Sequence, residues 1–332
     1  MMMVTTTDYH TAGEPFRIVT AGVAVPRGAR VVDRRRWAID HLDGVRALLC
    51  REPRGHADMY GCFVTPPDDE AGDLGTVFFH NEGFSTACGH GTIALATWAI
   101  ETGLVRPAAD AGEQTVVVDV PSGRVQAIAS LTGGKVEAVR FQNVPALVQD
   151  LDVALPVDGV VHHLDIAYGG AFYATVEAAS LGLEVTPEHL PALIARARAI
   201  RAAADRELEL ALPDESGARG LYGTIFYDRL GDSHQRNVTV FADGQVDRSP
   251  CGSGTSARLA VLAARGELAV GDTLLHDSIV DSRFLGRVLA ARQDTHGRTL
   301  FDTEVEGRAH RTGQHTFVLD PEDELGNGFL LR

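Results

Sequence analysis

The chain has 332 residues, 45% of them hydrophobic and 23% charged, which predicts about two soluble globular domains with ample core. Its 30 Lys and Arg face 45 Asp and Glu, a net charge of −15 that argues against nucleic acid and against an anionic membrane surface. Four cysteines without a C-x-x-C pair fit neither a disulfide scaffold nor a structural zinc site, so reduced thiols and no bound metal are expected.

The opening Met1-Met2-Met3-Val4 has neither a basic start nor a long apolar run, and the expected compartment is the cytoplasm. Residues 9–19 read as a turn-rich entry into a strand, and 34–49 as one amphipathic helix with Trp37, Ile39, Leu42, Val45, Leu48 and Leu49 at helical spacing. A polar loop at 52–61 leads into a strand at 62–65, and 75–80 is a buried-looking strand. After the turn Asn81-Glu82-Gly83 comes Cys88-Gly89-His90-Gly91-Thr92-Ile93-Ala94, which opens an apolar helix. Alternating segments at 115–120 and 124–129 flank Pro121-Ser122-Gly123 as paired strands, with further strands at 135–141 and 160–166. Residues 168–173 repeat an aromatic-and-glycine texture. The Ala- and Arg-rich stretch 186–210 reads as a helix capped at Thr186-Pro187-Glu188 and broken at Pro213. Strands at 223–227 and 237–241 precede Cys251-Gly252-Ser253-Gly254-Thr255-Ser256-Ala257, and strands at 281–291 and 314–319 close the chain. Many strands around one central helix per half is an α+β pattern.

The two C-G-x-G-T-x-A segments lie about half a chain length apart, so one cysteine heads a helix in each of two similar halves. The first N–H groups of a helix lack intrahelical acceptors and the dipole there is positive, which favours an anion and raises the thiolate fraction of a thiol. Cys50 and Cys62, inside apolar runs, read instead as inert core thiols. The G-x-G spacing lacks the further glycine of a dinucleotide loop and the lysine of a Walker loop, and a redox disulfide would be an inactive form. Two thiols on opposite sides of one bound carboxylate suit inversion at an α-carbon: a thiolate removes the proton from one face and a thiol returns one to the other. Helix N-termini would meet the charge developing on the carboxylate, so no cofactor is required.

The segments His10-Thr11-Ala12-Gly13-Glu14-Pro15, Glu52-Pro53-Arg54-Gly55-His56, Asp58-Met59-Tyr60-Gly61, His80-Asn81-Glu82-Gly83, Cys88-Gly89-His90-Gly91, Asn143-Val144-Pro145 and Asp247-Arg248-Ser249-Pro250-Cys251-Gly252 together resemble the proline racemase family. That family includes hydroxyproline 2-epimerases and trans-3-hydroxyproline dehydratases and is similar in fold to diaminopimelate epimerase. The resemblance implies two similar domains, 1–130 with 312–332 and 131–311, each a curved, mostly antiparallel sheet around a central helix, with the active site in the cleft between them and a homodimer as the common assembly. It implies Cys88 and Cys251 as paired acid and base. It places His90 and Asp247 on the ring nitrogen of an imino acid, proline or a hydroxyproline, and the backbone amides of Gly89, His90, Gly252 and Ser253 on the carboxylate.

Dehydratases of the family typically carry threonine at the second cysteine position, so Cys251 favours inversion, with dehydration through Cys88 alone as the second reading and a non-catalytic imino-acid-binding protein as a third. The family's usual methionine before the first cysteine is here Ala87, which implies a larger pocket and leaves proline, hydroxyproline or a larger imino acid open.

Overall fold

The computed structural model describes residues 2–212 and 218–331, so Pro213, expected to break a helix, lies outside them. Two compact units divide the chain, Met1–Val139 with Arg308–Arg332, and Arg140–Gly307.

In the first unit β1 (Met2–Thr11) and β2 (Glu14–Ala21) form an antiparallel hairpin. Ala12 and Gly13 both have positive φ, 51° and 92°, at its two-residue turn, a backbone twist that matches the flanking strands. The expected single helix at 34–49 is two, α1 (Val31–His41) and α2 (Asp43–Cys50), broken where Leu42 leaves the helical region with ψ of 8°. They form a crossover, because β3 (Tyr60–Thr65) pairs parallel to β2 and a parallel pair needs a long connection. Strand β4 (Leu74–His80), buried throughout, pairs antiparallel to β3. Helix α3 (Gly89–Glu101) then crosses to β5 (Gly112–Val120), parallel to β4, and β6 (Gly123–Thr132) folds back on β5.

After β7 (Lys135–Gln142) the second unit repeats this order. Strands β8 (Ala146–Val157) and β9 (Val160–Tyr168) form a hairpin about Asp158-Gly159, and β10 (Phe172–Glu177) follows antiparallel to β9. Helix α4 (Leu190–Glu207) crosses to β11 (Gly223–Gly231), parallel to β10. Its N-cap is His189 rather than the expected Thr186, because residues 186–189 make a separate turn that brings the His189 N–H to the Thr186 carbonyl at 3.2 Å. Strand β12 (His234–Phe241) pairs antiparallel to β11, and β13 (Gln245–Asp247) leads into α5 (Gly252–Ala264). Helix α5 crosses to β14 (Thr273–Ser278), parallel to β12, with β15 (Arg283–Gln293) and β16 (Thr299–Gly307) antiparallel beyond it. Strand β16 also pairs with β8, so the sheet of this unit closes on itself. The last strand, β17 (Ala309–Leu319), pairs antiparallel with β1 in the first unit.

Both halves thus read strand, crossover, two antiparallel strands, helix, parallel strand, a mixed α+β arrangement in which antiparallel pairs dominate. The resemblance implies divisions at 130/131 and 311/312, whereas the units part at 139/140 and 307/308. β7 runs through the first of these without a turn, and Arg308 alone separates β16 from β17, so no Gly- or Pro-rich linker marks either point.

Helices α3 and α5 are apolar nearly all round, and both are buried almost throughout, as such helices must be. Around α5 the backbone packs so closely that a Cβ on Gly169 would stand 2.3 Å from the Ser253 carbonyl oxygen and 2.8 Å from the Ala257 nitrogen. Gly169→Ala is therefore expected to destabilise the protein by about 1–3 kcal/mol in urea unfolding, as overpacking of a filled core does. No helix among the described residues is long and apolar enough to cross a membrane.

Candidate active site

The structure places each conserved-pattern cysteine at the N-cap of its unit's central helix. Cys88 caps α3 in extended backbone, φ −157° and ψ 101°, and its Sγ accepts the Gly91 N–H at 3.3 Å. Thr92 donates its backbone N–H to the Cys88 carbonyl at 3.0 Å, which begins the helical ladder. The groups before it, the N–H of Gly89 and His90, belong to the first turn, where a helix offers no acceptor of its own. Gly91 has to be glycine: a Cβ there would lie 2.7 Å from the Cys88 sulfur and 2.3 Å from Cε2 of Phe16.

The His90 ring lies within 3.5 Å of the Cys88 sulfur through both nitrogens. Phe16 and Tyr60 meet it edge-on with centroids at 5.7 and 5.1 Å, and the residue is only 4% exposed. Burial lowers its pKa to about 3, so the imidazole is neutral at physiological pH, with one nitrogen to donate and one to accept. Tyr60 joins Ser85 through its hydroxyl and donates to the Ala87 carbonyl at 3.4 Å, bracing the loop that leads into the cysteine.

Cys251 caps α5 in the same manner, its Sγ accepting the Gly254 N–H at 3.3 Å, but its backbone differs: φ is +64° and ψ 109°. A positive φ on a residue with a side chain costs on the order of 1–3 kcal/mol and persists only where its surroundings over-determine it. Here they do. The Asp247 carboxylate accepts from the Ser249 N–H and hydroxyl at 2.8 and 2.7 Å, and the Ser249 oxygen accepts the Cys251 N–H at 3.1 Å. The Pro250 carbonyl accepts from Asn237 Nδ2 at 2.8 Å and from the Thr255 hydroxyl at 3.1 Å. With its proton so used, Thr255 accepts from His276 Nδ1 at 2.8 Å.

Burial, and then the Asp247 carboxylate, push the Cys251 thiol well above the usual thiol range, against the Gly254 N–H and the Thr239 and Ser253 hydroxyls, which act to lower it. The expectation that a helix entrance lowers a thiol's pKa is therefore overturned at Cys251, because desolvation and a neighbouring carboxylate outweigh one N–H group. Asp247 itself is raised to about 6 by burial, opposed by the two donors of Ser249. Cys50 and Cys62 are fully buried and pushed up to about 12 by desolvation, the behaviour of core thiols.

The first unit holds Cys88, Gly89 and His90 together, and the second holds Asp247, Cys251, Gly252 and Ser253. Sequence reasoning gave no site role to Tyr60, Tyr173, Asn237, Ser249 or His276, which surround the two cysteines directly or through one neighbour. Ser249 sits two residues from Cys251 and could have been suspected; the others come from distant strands and carry no local signal.

Residues 6–330 match the family model for proline racemase. The chain is 45% identical, over 98% of both lengths, to a trans-3-hydroxy-L-proline dehydratase of Bacillus cereus. It is 44% identical to a 3-hydroxyproline 2-epimerase of Burkholderia multivorans over 99% of this chain and 98% of that one. A hydroxyproline epimerase of Agrobacterium vitis, solved with bound trans-4-hydroxy-L-proline, superposes with a TM-score of 0.92 at 29% identity, covering 99% of this chain and 96% of the other.

Proposed function

Because the chain belongs to the proline racemase family, we propose that it inverts Cα of a hydroxyproline without a cofactor, using Cys88 and Cys251 as the two acid/base groups. The observation that carries this reading is the pair of helix-capping thiols, each with its sulfur on the N–H of the third helical residue. Relatives acting on 3-hydroxyproline at 44–45% identity favour that substrate over proline itself.

In the proposed reaction, written in one direction, Cys88 acts as the thiolate and Cys251 as the thiol, whose proton burial and Asp247 help to hold. Cys88 takes the Cα proton and becomes a thiol, while Cys251 delivers its proton to the opposite face and becomes the thiolate. The N–H groups of Gly89, His90, Gly252 and Ser253 stabilise the charge that develops on the carboxylate. Asp247 pairs with the ring ammonium and His90 hydrogen-bonds it. Family resemblance also supports a homodimer working in the cytoplasm.

The second reading, dehydration of trans-3-hydroxy-L-proline, is favoured by the names of several relatives, including the Bacillus cereus protein. It shares the first step: Cys88 removes the Cα proton and passes it to the C3 hydroxyl, which leaves as water as the C3–O bond breaks, and the enamine tautomerises to a cyclic imine. Retention of a thiol at position 251 favours inversion. Proton NMR in D2O with trans-3-hydroxy-L-proline, trans-4-hydroxy-L-proline and L-proline separates the two. Loss of the Cα proton signal with appearance of the epimer supports inversion, a cyclic imine from the 3-hydroxy compound supports dehydration, and binding without either outcome removes both.

A pH dependence follows. Asp247, at about 6, takes up a proton below that point and can no longer pair with an ammonium. We expect kcat/KM to fall at least tenfold per pH unit below about pH 6, and Asp247→Asn to lose most activity. The alkaline limb should lie above the ~8.5 of a free thiol, since burial and Asp247 hold the Cys251 proton. A flat profile across both limbs would contradict the assignment.

A further inference from the structure

A thiol that serves as acid in one direction and base in the other must be accommodated both as S–H and as thiolate. A fixed donor such as the Gly254 N–H helps only the thiolate. Beside Cys88 the neutral imidazole of His90 can donate and accept. Ser253 occupies the matching place in the second C-G-x-G segment, and a lone serine there would have one proton to share. The structure gives it a partner: Tyr173 Oη lies 2.8 Å from Ser253 Oγ, and the two oxygens stand 4.0 and 3.9 Å from the Cys251 sulfur.

Room for that ring is built into the sheet. Tyr173 on β10 is flanked in register by Ala167 on β9 and Gly223 on β11, both small, and the Tyr222 ring meets it edge-on at 5.8 Å. The residue is fully buried and packs in one cluster with Cys251, Ala257 and Val261. Burial keeps the phenol protonated. The other groups around this sulfur are the Asp247 carboxylate from β13, the Thr239 hydroxyl from β12, and the Gly254 N–H and Ser253 hydroxyl of α5.

We propose that Tyr173 is the positioning residue of the Cys251 face: joined to Ser253, its hydroxyl accepts from the Cys251 thiol and turns to donate to the thiolate once that proton has gone to Cα. The phenol proton stays on its oxygen throughout; only the direction of the hydrogen bonds changes. Sulfur–oxygen separations near 4 Å fit a resting state, since such bonds tighten when charge develops. The inference rests on the two-thiol reading above.

Its test does not need turnover. In full-length protein carrying Cys88→Ser, the rate of Cys251 alkylation by iodoacetamide is followed against pH by peptide mass spectrometry, with and without Tyr173→Phe. Loss of a donor to the thiolate should slow alkylation at pH 8 about tenfold and move the midpoint up by about one pH unit. In the Cys251→Ser background the same substitution should leave Cys88 alkylation unchanged. An unmoved Cys251 profile, or equal slowing at both thiols, would overturn the proposal. Ser253→Ala, which removes the other hydroxyl and leaves the ring packed, should slow Cys251 in the same direction and serves if Tyr173→Phe does not fold. With both cysteines present, Tyr173→Phe should lower kcat/KM for the two epimers by one common factor, because the equilibrium between them is fixed. Absence of Cα inversion in the NMR experiment would instead refute the reading on which the inference rests.

Discussion

Cys88→Ser is expected to abolish Cα chemistry on every imino acid, by about 10⁴-fold, since it removes the proposed base. The loss should not come from unfolding. Serine is a favourable N-cap, and its oxygen can take over the Gly91 N–H that the sulfur accepts. Cys251→Ser is expected to divide the two reactions: inversion falls to a similar extent, while any dehydration of trans-3-hydroxy-L-proline persists, because elimination needs no donor on the far face. Proton NMR in D2O reads both, through the epimer and the cyclic imine. Full inversion by Cys251→Ser would remove the two-thiol assignment, and full activity of Cys88→Ser on all three substrates would remove the site.

Gly91→Ala should be the next most damaging change, for a steric reason. The added methyl would sit 2.7 Å from the Cys88 sulfur and 2.3 Å from the Phe16 ring, and neither can yield easily. Phe16 is fully buried and packs against Phe78 and the His90 ring. The thiol would have to leave the N-cap position. A displacement of that size costs about 10²-fold in rate, and the overpacking about 1–3 kcal/mol of stability. Gly254→Ala is the matched control: there the nearest atom is the Cys251 sulfur at 3.0 Å, followed by its own Cβ at 3.2 Å and the flexible end of Ile225 at 3.2 Å. It should lose less stability. Thermal melts with kcat/KM on both variants test the contrast; equal behaviour of the two would mean that the Phe16 contact does not hold Cys88 in place.

The placement of Cys88 and Cys251 at helix entrances was legible because it is written locally and twice. A thiol at a helix entrance needs glycine beside it, and seven consecutive residues suffice to show that. The strands read from alternation, such as those on either side of Pro121-Ser122-Gly123, were legible for the same reason. Strands β1, β8, β14 and β16 were not, because their own residues show no clean alternation of apolar and polar side chains. The break at Leu42 was hidden by apolar spacing that continues across it.

By itself, then, the sequence determined the family, the two half-chain copies, the α+β class and the identity of both thiols with Gly89, His90, Asp247, Gly252 and Ser253 beside them. Only the tertiary structure decided the environment of each sulfur. Cys251 takes a positive φ held by its sequence neighbours Asp247 and Ser249 and, from distant strands, by Asn237 of β12 and by His276 of β14 through Thr255. It keeps its proton because the fold buries it beside Asp247, and it meets Tyr173 because β10 runs past α5. Desolvation and long-range hydrogen bonds depend on which segments the chain brings together, and no local pattern of residues encodes that.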